Sequence, residues 1–429
     1  MSRKRFTDKI LPKLVNRREE DVSSIASSVK EIVMDVRKNG DEALLRYTQK
    51  FDGVHLTAAD LKCTKDEFKE SYTNLEANQV EALEKAAENI RRFHTKQMDE
   101  GWSQEMEEGV TVGQVTRPLS SVGVYVPGGR GSYPSSLLMA AIPAEVAGVE
   151  KTIVCCPPKK KGRINPALLV AADLSGVGEL YHIGGAQAIA AMAYGTETIP
   201  QVDKIVGPGN AFVTAAKLQV SNDVAIDLPA GPSEILVIAD ETGDPSFIAS
   251  DLLAQAEHDP RAVSILLTTS SELASAVKSE VDKQMGSLSR TETIKSSLHR
   301  WGLIVTLKDL EEAVTYTNAI APEHLQIQTK YPNKLFDRIQ NAGAVFLGKY
   351  SPVAFGDYSA GLNHVLPTAG YARIYSGLST RDFIKTINFL QCTKKGCQKL
   401  KRTTVTLAEM EGFDGHSRSA SIRDEKNEN

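Results

Sequence analysis

At 429 residues, 41% hydrophobic and 24% charged, the chain has an ordinary globular composition and is too long for one typical domain, so two or three are expected. A formal net charge of -4 gives no reason to expect nucleic acid as a partner. The opening MSRKRFTDKILPKLVNRREED carries charges throughout, unlike a signal peptide, and the longest apolar candidate, LLMAAIPAEVAGV, is broken by Glu145 and does not reach a membrane span.

Residues 1–20 read as a charged arm. Helical apolar spacing then runs from Val22 to Phe51 and from Asn78 to Gln97. After that the texture changes. SSVGVYV reads as a strand, PGGRGSYPSS as a glycine-rich turn, LLMAAIPAEVAGV as a helix and KTIVCCPP as a short buried strand. PALLVAADLSGV is helical, GELYHIGG is strand and turn, AQAIAAMAYG is helical, VDKIVGPGN is strand and turn, and AFVTAAKLQV is helical. A second series follows: EILVIAD, PSFIASDLLAQAEH, AVSILLTT, SELASAVKSEVDKQM, GLIVTL, DLEEAVTYTNAI and GAVFLG. Strands alternating with helices of this length predict right-handed β-α-β units and parallel sheets. The fold class is therefore α/β, with two tandem units divided near Asp227 to Ser233. From Ala372 the pattern reads as a helical, polar tail, and the final SRSASIRDEKNEN as disordered.

Cys63, Cys155, Cys156, Cys392 and Cys397 are few, odd in number and without metal-finger spacing, which fits reduced thiols in a cytoplasmic protein. Cys155 and Cys156 end an apolar run, so packing suits them better than nucleophilic work. No G-x-G-x-x-G fingerprint is present. Three glycine turns do stand between a strand and a helix, at 127–136, 184–188 and 207–212. Any one of them serves merely to turn the chain. Three in one unit, each at the carboxyl end of a strand, point to a ligand crevice where backbone N–H groups approach phosphates.

Four polar phrases fall later in the chain: LLAQAEHDP with Gln255 and His258, APEHL with Glu323 and His324, GDYSAGLNHVLPT with Asp357 and His364, and EMEGFDGH with Glu411 and His416. They hold four of only eight histidines. Gln255 and His258 are three apart and share a face on a helix, which suits a metal half-site or equally the polar side of an amphipathic helix. Glu323 and His324 point apart in an extended segment. A turn lets both reach one pocket, and Pro322 disfavours helix at Ala321. A carboxylate beside an imidazole supplies two bases suited to successive proton transfers.

The phrases VGVYVPGG, GPGNAFVTAAK, DLPAGPSEILVIAD, AQAEHDP, APEHL, GDYSAGLNHVLPT and LAEMEGFDGH together resemble the histidinol dehydrogenase family, over residues 20–418. No expected functional position departs from the family pattern; conservative differences, such as Phe212 and Leu228, appear nearby, and the charged last eleven residues carry no family signal. The resemblance implies a zinc- and NAD-dependent enzyme that oxidises L-histidinol through the aldehyde to L-histidine, the last step of histidine biosynthesis. It implies one zinc per site, on Gln255, His258, Asp357 and His416. NAD contacts fall on Tyr125, Gln187 and Asn210, each beside a glycine turn. Substrate contacts fall on Ser233, Gln255, His258, His324, Asp357, Glu411 and His416. The proton-transfer pair is Glu323, for the water that adds to the aldehyde, and His324, for the alcohol. His364 is read as support rather than a ligand.

The implied architecture is two incomplete Rossmann-like domains with a helical arm and tail. Residues 119–233 would bind NAD, residues 21–118 with 234–371 would carry the zinc chemistry, and the tail 372–429 would cross to a partner in a homodimer with shared sites. Two rival readings are another NAD-dependent alcohol dehydrogenase on the same scaffold and a zinc hydrolase in which Glu323 activates water. The full ligand set opposes the first, and the glycine turns oppose the second.

Overall fold

The computed structural model describes residues 3–17, 23–128, 131–159, 162–228 and 231–425. Outside them lie residues 1, 2 and 18–20 of the predicted arm, Asp21 and Val22 where the first predicted helix begins, Gly129 and Arg130 of the first glycine turn, residues 160 and 161, Pro229 and Ala230 of the DLPAGPSE phrase, and the last four residues. The chain divides into two compact units, Met1–Gln97 with Ser120–Phe383, and Met98–Leu119 with Ile384–Asn429.

Numbered along the chain, β1 (Trp102–Glu107) and β2 (Val110–Pro118) form an antiparallel hairpin of the smaller unit. The larger unit continues with β3 (Ser121–Tyr125), β4 (Lys151–Cys156), β5 (Glu179–His182), β6 (Lys204–Val206) and β7 (Ala225–Ile226). These form an all-parallel sheet of order β5-β4-β3-β6-β7. A second parallel sheet repeats that order as β10-β9-β8-β11-β12, from β8 (Glu234–Ala239), β9 (Val263–Thr268), β10 (Gly302–Thr306), β11 (His324–Gln328) and β12 (Ala344–Leu347). Each sheet therefore reverses strand order once, between β3 and β6 and between β8 and β11, as Rossmann-type sheets do.

The central strands EILVIA and VSILLT are buried at every residue. Such continuous apolar runs are what helices on both faces demand, since neither face is left to water. Three of the connecting helices begin on side-chain caps that satisfy their first N–H groups: Asn165 for Pro166–Leu174, Asn210 for Ala211–Val220 and Asp244 for Pro245–Ala256. Cys155 and Cys156 are buried in the first sheet, as their apolar setting predicts.

The N-terminal arm is helical, as expected, over Arg3–Arg5, Phe6–Ile10 and Leu11–Val15. Phe6 and Leu14 are fully buried in the core of the second sheet, with the Phe6 ring edge-on to Tyr316 at 5.4 Å. The tail from Ala372 is not helical throughout. After short turns at Tyr371–Arg373 and Thr380–Phe383 comes β13 (Ile384–Cys392), antiparallel to β2 from Ile384 opposite Pro118 to Cys392 opposite Val110. IKTINFLQC is rich in β-branched and aromatic side chains, which favour a pleated surface, and its partner strand supplies the pairing that local sequence does not reveal. The helices Lys394–Met410 and Asp414–Glu425 follow, so the stretch read as disordered is helical as far as Glu425.

Burial of the arm predicts that Phe6→Ala lowers the unfolding free energy by about 3–5 kcal/mol in denaturant titration. A loss under about 1 kcal/mol would mean that the arm is not part of the core.

Candidate active site

One cavity of about 340 Å³ gathers most of the residues singled out in the sequence. From the carboxyl end of the first sheet come Pro127, Pro208, Gly209, Asn210 and Thr214. From the amino end of the second come Ser233, Glu323 and His324. Gln255, His258, Asp357 and His364 complete the wall. The crevice at the first sheet's switch point thus opens onto the amino end of the second sheet, where helix Pro245–Ala256 ends.

Gln255 sits in the last turn of that helix and is buried. His258 lies just beyond it, in a turn closed by the His258 N–H donating to the Gln255 carbonyl at 3.3 Å. The two reach one cavity through a helix end plus a turn, not along a continuous helical face.

Glu323 and His324 reach the cavity together because Ala321 ends the preceding helix in the left-handed region, φ 52. A non-glycine residue held there is uncommon. Both side chains hang from the backbone of Glu234. Glu323 Oε2 accepts the Glu234 N–H at 2.7 Å, and His324 Nδ1 donates to the Glu234 carbonyl at 3.0 Å. That bond fixes the tautomer and leaves Nε2 facing the cavity, 3.4 Å from Asp357 Oδ1 and without a hydrogen-bond partner. Burial opposes a charged His324, but Glu323 and Asp357 outweigh it and hold the imidazole well above its usual pKa. Burial pushes Glu323 upward, against the pull of His324. Asp357 is half-buried, and desolvation works against its charge, yet His324 and the neighbouring His364 and His258 bring it below the usual carboxylate range.

Sequence reasoning missed the strut behind this pair. The Glu234 side chain is buried and held by Arg17, with Arg17 Nη2 to Glu234 Oε2 at 2.6 Å. Arg17 also donates to the Ile320 carbonyl at 3.2 Å, beside the Ala321 turn. His364, read from the sequence as support, is hydrogen-bonded at both ring nitrogens. Its Nδ1 donates to the Asp357 carbonyl at 2.9 Å and its Nε2 accepts from the Ser136 hydroxyl at 2.9 Å, while burial keeps it neutral.

On the glycine-turn side, Asn210 lines the cavity and caps its helix, accepting from Phe212 and Val213 N–H at 3.0 and 3.1 Å. Tyr125 and Gln187 lie deeper. The Tyr125 hydroxyl accepts the Gly185 N–H at 3.1 Å, and Gln187 Oε1 is buried without a partner. Gly207, at φ 114, comes so close to the Tyr125 carbonyl that any Cβ would collide with it. Its N–H donates to Asp227 at 2.7 Å and its carbonyl accepts from Lys217 at 3.0 Å, while Lys217 and Asp227 form a buried ion pair with each other. Neither Lys217 nor Asp227 was singled out in the sequence, because their partners become visible only in the folded turn.

Glu411 and His416 belong to the smaller unit, where both are exposed. The larger unit alone therefore supplies Gln255, His258 and Asp357 of the four expected ligands. Their amide, imidazole and carboxylate donors around one cavity are chemically suited to zinc.

A histidinol dehydrogenase family model matches residues 15–424. A histidinol dehydrogenase of Methanothermobacter thermautotrophicus is 51% identical over 96% of this chain and 97% of its own length. One from Clostridium acetobutylicum is 48% identical over 97% of this chain and 96% of its own. The crystal structure of histidinol dehydrogenase from Elizabethkingia anophelis superposes with a TM-score of 0.93 at 40% identity, covering 96% of this chain and 95% of that one. The chain belongs to the histidinol dehydrogenase family. Membership makes it an oxidoreductase of histidine biosynthesis.

Behind the cavity of this family member, Asp251 lies one helical turn before Gln255, buried and raised to about 6 by desolvation, with a hydrogen bond to Gln326 acting the other way. A carboxyl raised on folding favours the folded state below its unfolded pKa, and that advantage is lost as pH climbs through the folded value. Asp251→Asn should therefore stabilise the protein above about pH 6 by about 2–3 kcal/mol relative to its effect near pH 4. Denaturant titrations of both proteins across that range check it, and a pH-independent difference would refute the assignment.

Proposed function

We propose that this family member carries out the zinc- and NAD-dependent, four-electron oxidation of L-histidinol to L-histidine through L-histidinaldehyde. The observation that carries the reading is the Glu323–His324 pair, suspended from Glu234 in the cavity that also holds Gln255, His258 and Asp357. Zinc would be held by Gln255, His258 and Asp357, with His416 of the partner subunit as fourth ligand. NAD would lie against Tyr125, Gln187 and Asn210, where the unpartnered Gln187 oxygen offers a polar group. When bound, zinc would anchor the substrate's imidazole and amino nitrogens and NAD+ would supply the hydride acceptor.

The protein's own part is proton handling and positioning. Ser233 lines the cavity beside the pair and is assigned to substrate, as are Asp357, Glu411 and His416. His324 can exchange a proton only at Nε2, since Nδ1 is committed to the Glu234 carbonyl. Glu323 and Asp357 would stabilise the imidazolium that forms when Nε2 takes the alcohol proton. Glu323, moved upward by burial, suits the second half, in which a water adds to the aldehyde and must lose a proton. Both groups are buried, so the reactive aldehyde is kept from bulk water.

The smaller unit supports a homodimer in which Glu411 and His416 are given to the partner. It exposes Trp102, Met106, Leu390, Leu407, Met410 and Phe413, with Met410 at 78%. So much exposed apolar surface on a small unit suits a subunit interface. Free cysteines, and the lack of any helix among the described residues long and apolar enough to cross a membrane, fit the proposed cytoplasmic location.

Absorbance at 340 nm with NAD+ and L-histidinol, against a panel of other alcohols and esters, tests the reaction. Histidinol should be strongly preferred and chelation should abolish turnover, whereas equal rates on unrelated alcohols would defeat the reading. In single turnovers, Glu323→Gln should slow oxidation of added histidinaldehyde more than the alcohol step, and His324→Asn the reverse. Equal defects in both steps would remove the division of labour.

Shared sites are tested by unfolding and refolding Asp357→Ala and His416→Ala together. Mixed dimers then hold one doubly damaged site and one intact site, so roughly a quarter of the original activity should return. No recovery, with mixed dimers demonstrated, would mean that the tail does not cross.

A further inference from the structure

Among the described residues, the one cluster in which three His, Cys, Asp or Glu donor atoms lie close enough to share a metal is elsewhere in the larger unit: Cys63, Glu67 and His182, all within 4.8 Å of one another. Cys63 precedes helix Lys65–Thr73, Glu67 is in that helix's first turn, and His182 ends β5. Cys63 and His182 are buried.

The backbone holds the cluster in place. Cys63 N–H donates to the Leu180 carbonyl and His182 N–H to the Leu61 carbonyl, each at 2.8 Å, around an antiparallel bridge between Lys62 and Tyr181. His182 Nδ1 donates to the Asp60 carbonyl at 2.8 Å, so the lone pair is on Nε2, which stands 2.8 Å from Cys63 Sγ. An imidazole braced by a carbonyl on its far nitrogen is the usual support of a metal-bound histidine. The Glu67 carboxylate is oriented by the Thr64 N–H and hydroxyl, at 2.7 and 3.0 Å.

Nitrogen and sulfur around a tetrahedral zinc stand about 3.5 Å apart. Cys63 Sγ and His182 Nε2 stand closer than that, at 2.8 Å, and all three donors lie within 4.8 Å of one another. Side-chain adjustments of about 1 Å would seat an ion, with water completing the tetrahedron.

We propose that Cys63, Glu67 and His182 form a second metal site, for zinc or a similarly thiophilic divalent cation, separate from the catalytic centre. One thiolate, one imidazole and one carboxylate favour such an ion over magnesium or calcium. Binding displaces the Cys63 thiol proton to solvent, so affinity rises with pH. The ion would staple the segment Ala58–Thr73 to the edge strand β5, just before the Gly184–Gly185 turn that opens the next helix. The inference is independent of the proposed reaction.

The test is titration of metal-stripped full-length protein with Co2+. A cobalt–thiolate bond gives an intense near-ultraviolet charge-transfer band, which the nitrogen and oxygen donors assigned to the catalytic site cannot give. The band should appear in the wild type, survive Cys156→Ser and His258→Ala, and vanish in Cys63→Ser, with bound metal falling by about one ion per chain. Glu67→Gln, a half-exposed change that spares the fold, should weaken Co2+ binding at this band by about 10-fold or more. No band in the wild type, a band that persists in Cys63→Ser, or unchanged affinity in Glu67→Gln would overturn the proposal.

Discussion

The buried ion pair between Arg17 and Glu234 is the constraint on which the candidate site rests. Removing two charges from water is costly, and a pair like this adds little net stability over an apolar substitute. Its value lies in position. With its side chain locked, Glu234 presents its backbone N–H to Glu323 and its carbonyl to His324 at the first residue of β8. One residue thereby orients both members of the proposed proton-transfer pair, and the same arginine reaches the carbonyl that precedes the left-handed Ala321.

A similar device works on the opposite wall. Lys217 and Asp227 hold both backbone groups of Gly207, which fixes the turn leading to Asn210. In each case a buried charge pair holds a piece of main chain, and the main chain positions the polar groups that face the cavity. The cavity is consequently bounded by rigid elements: the carboxyl end of one parallel sheet, the amino end of another and the end of one helix.

Much of this architecture is written locally. Alternating apolar runs and helical periods reveal the tandem α/β units, and glycine turns mark the crevice. Pro322 marks the turn that brings Glu323 and His324 to one side. What was not legible depends on distant partners. Arg17 looks like one charge among many until it meets Glu234, 217 residues later. Cys63 has no metal-like spacing because its partner His182 is 119 residues away. IKTINFLQC becomes a strand by pairing with β2, and nothing in its own flanks announces this. The ligand roles proposed for Gln255, His258 and Asp357 rest on family resemblance, although the cavity they share is visible in the fold alone.

The buried arm also bears on how the protein is made. Thr7 and Tyr316 share a hydrogen bond across 309 residues, and Phe6 and Leu14 join a core whose other members begin at Leu236. A ribosome releases the arm first, yet its docking surface does not exist until most of the chain has emerged. Because domains generally fold as they appear, the first sheet can form early while the arm waits. The Glu234 carboxylate lacks its arginine partner until the arm returns. Assembly of the proton-transfer pair is thus a late event in synthesis, gated by a contact between the two ends of the larger unit, and the nascent arm, with its basic residues and two apolar anchors, is the segment for which a chaperone would have the longest opportunity.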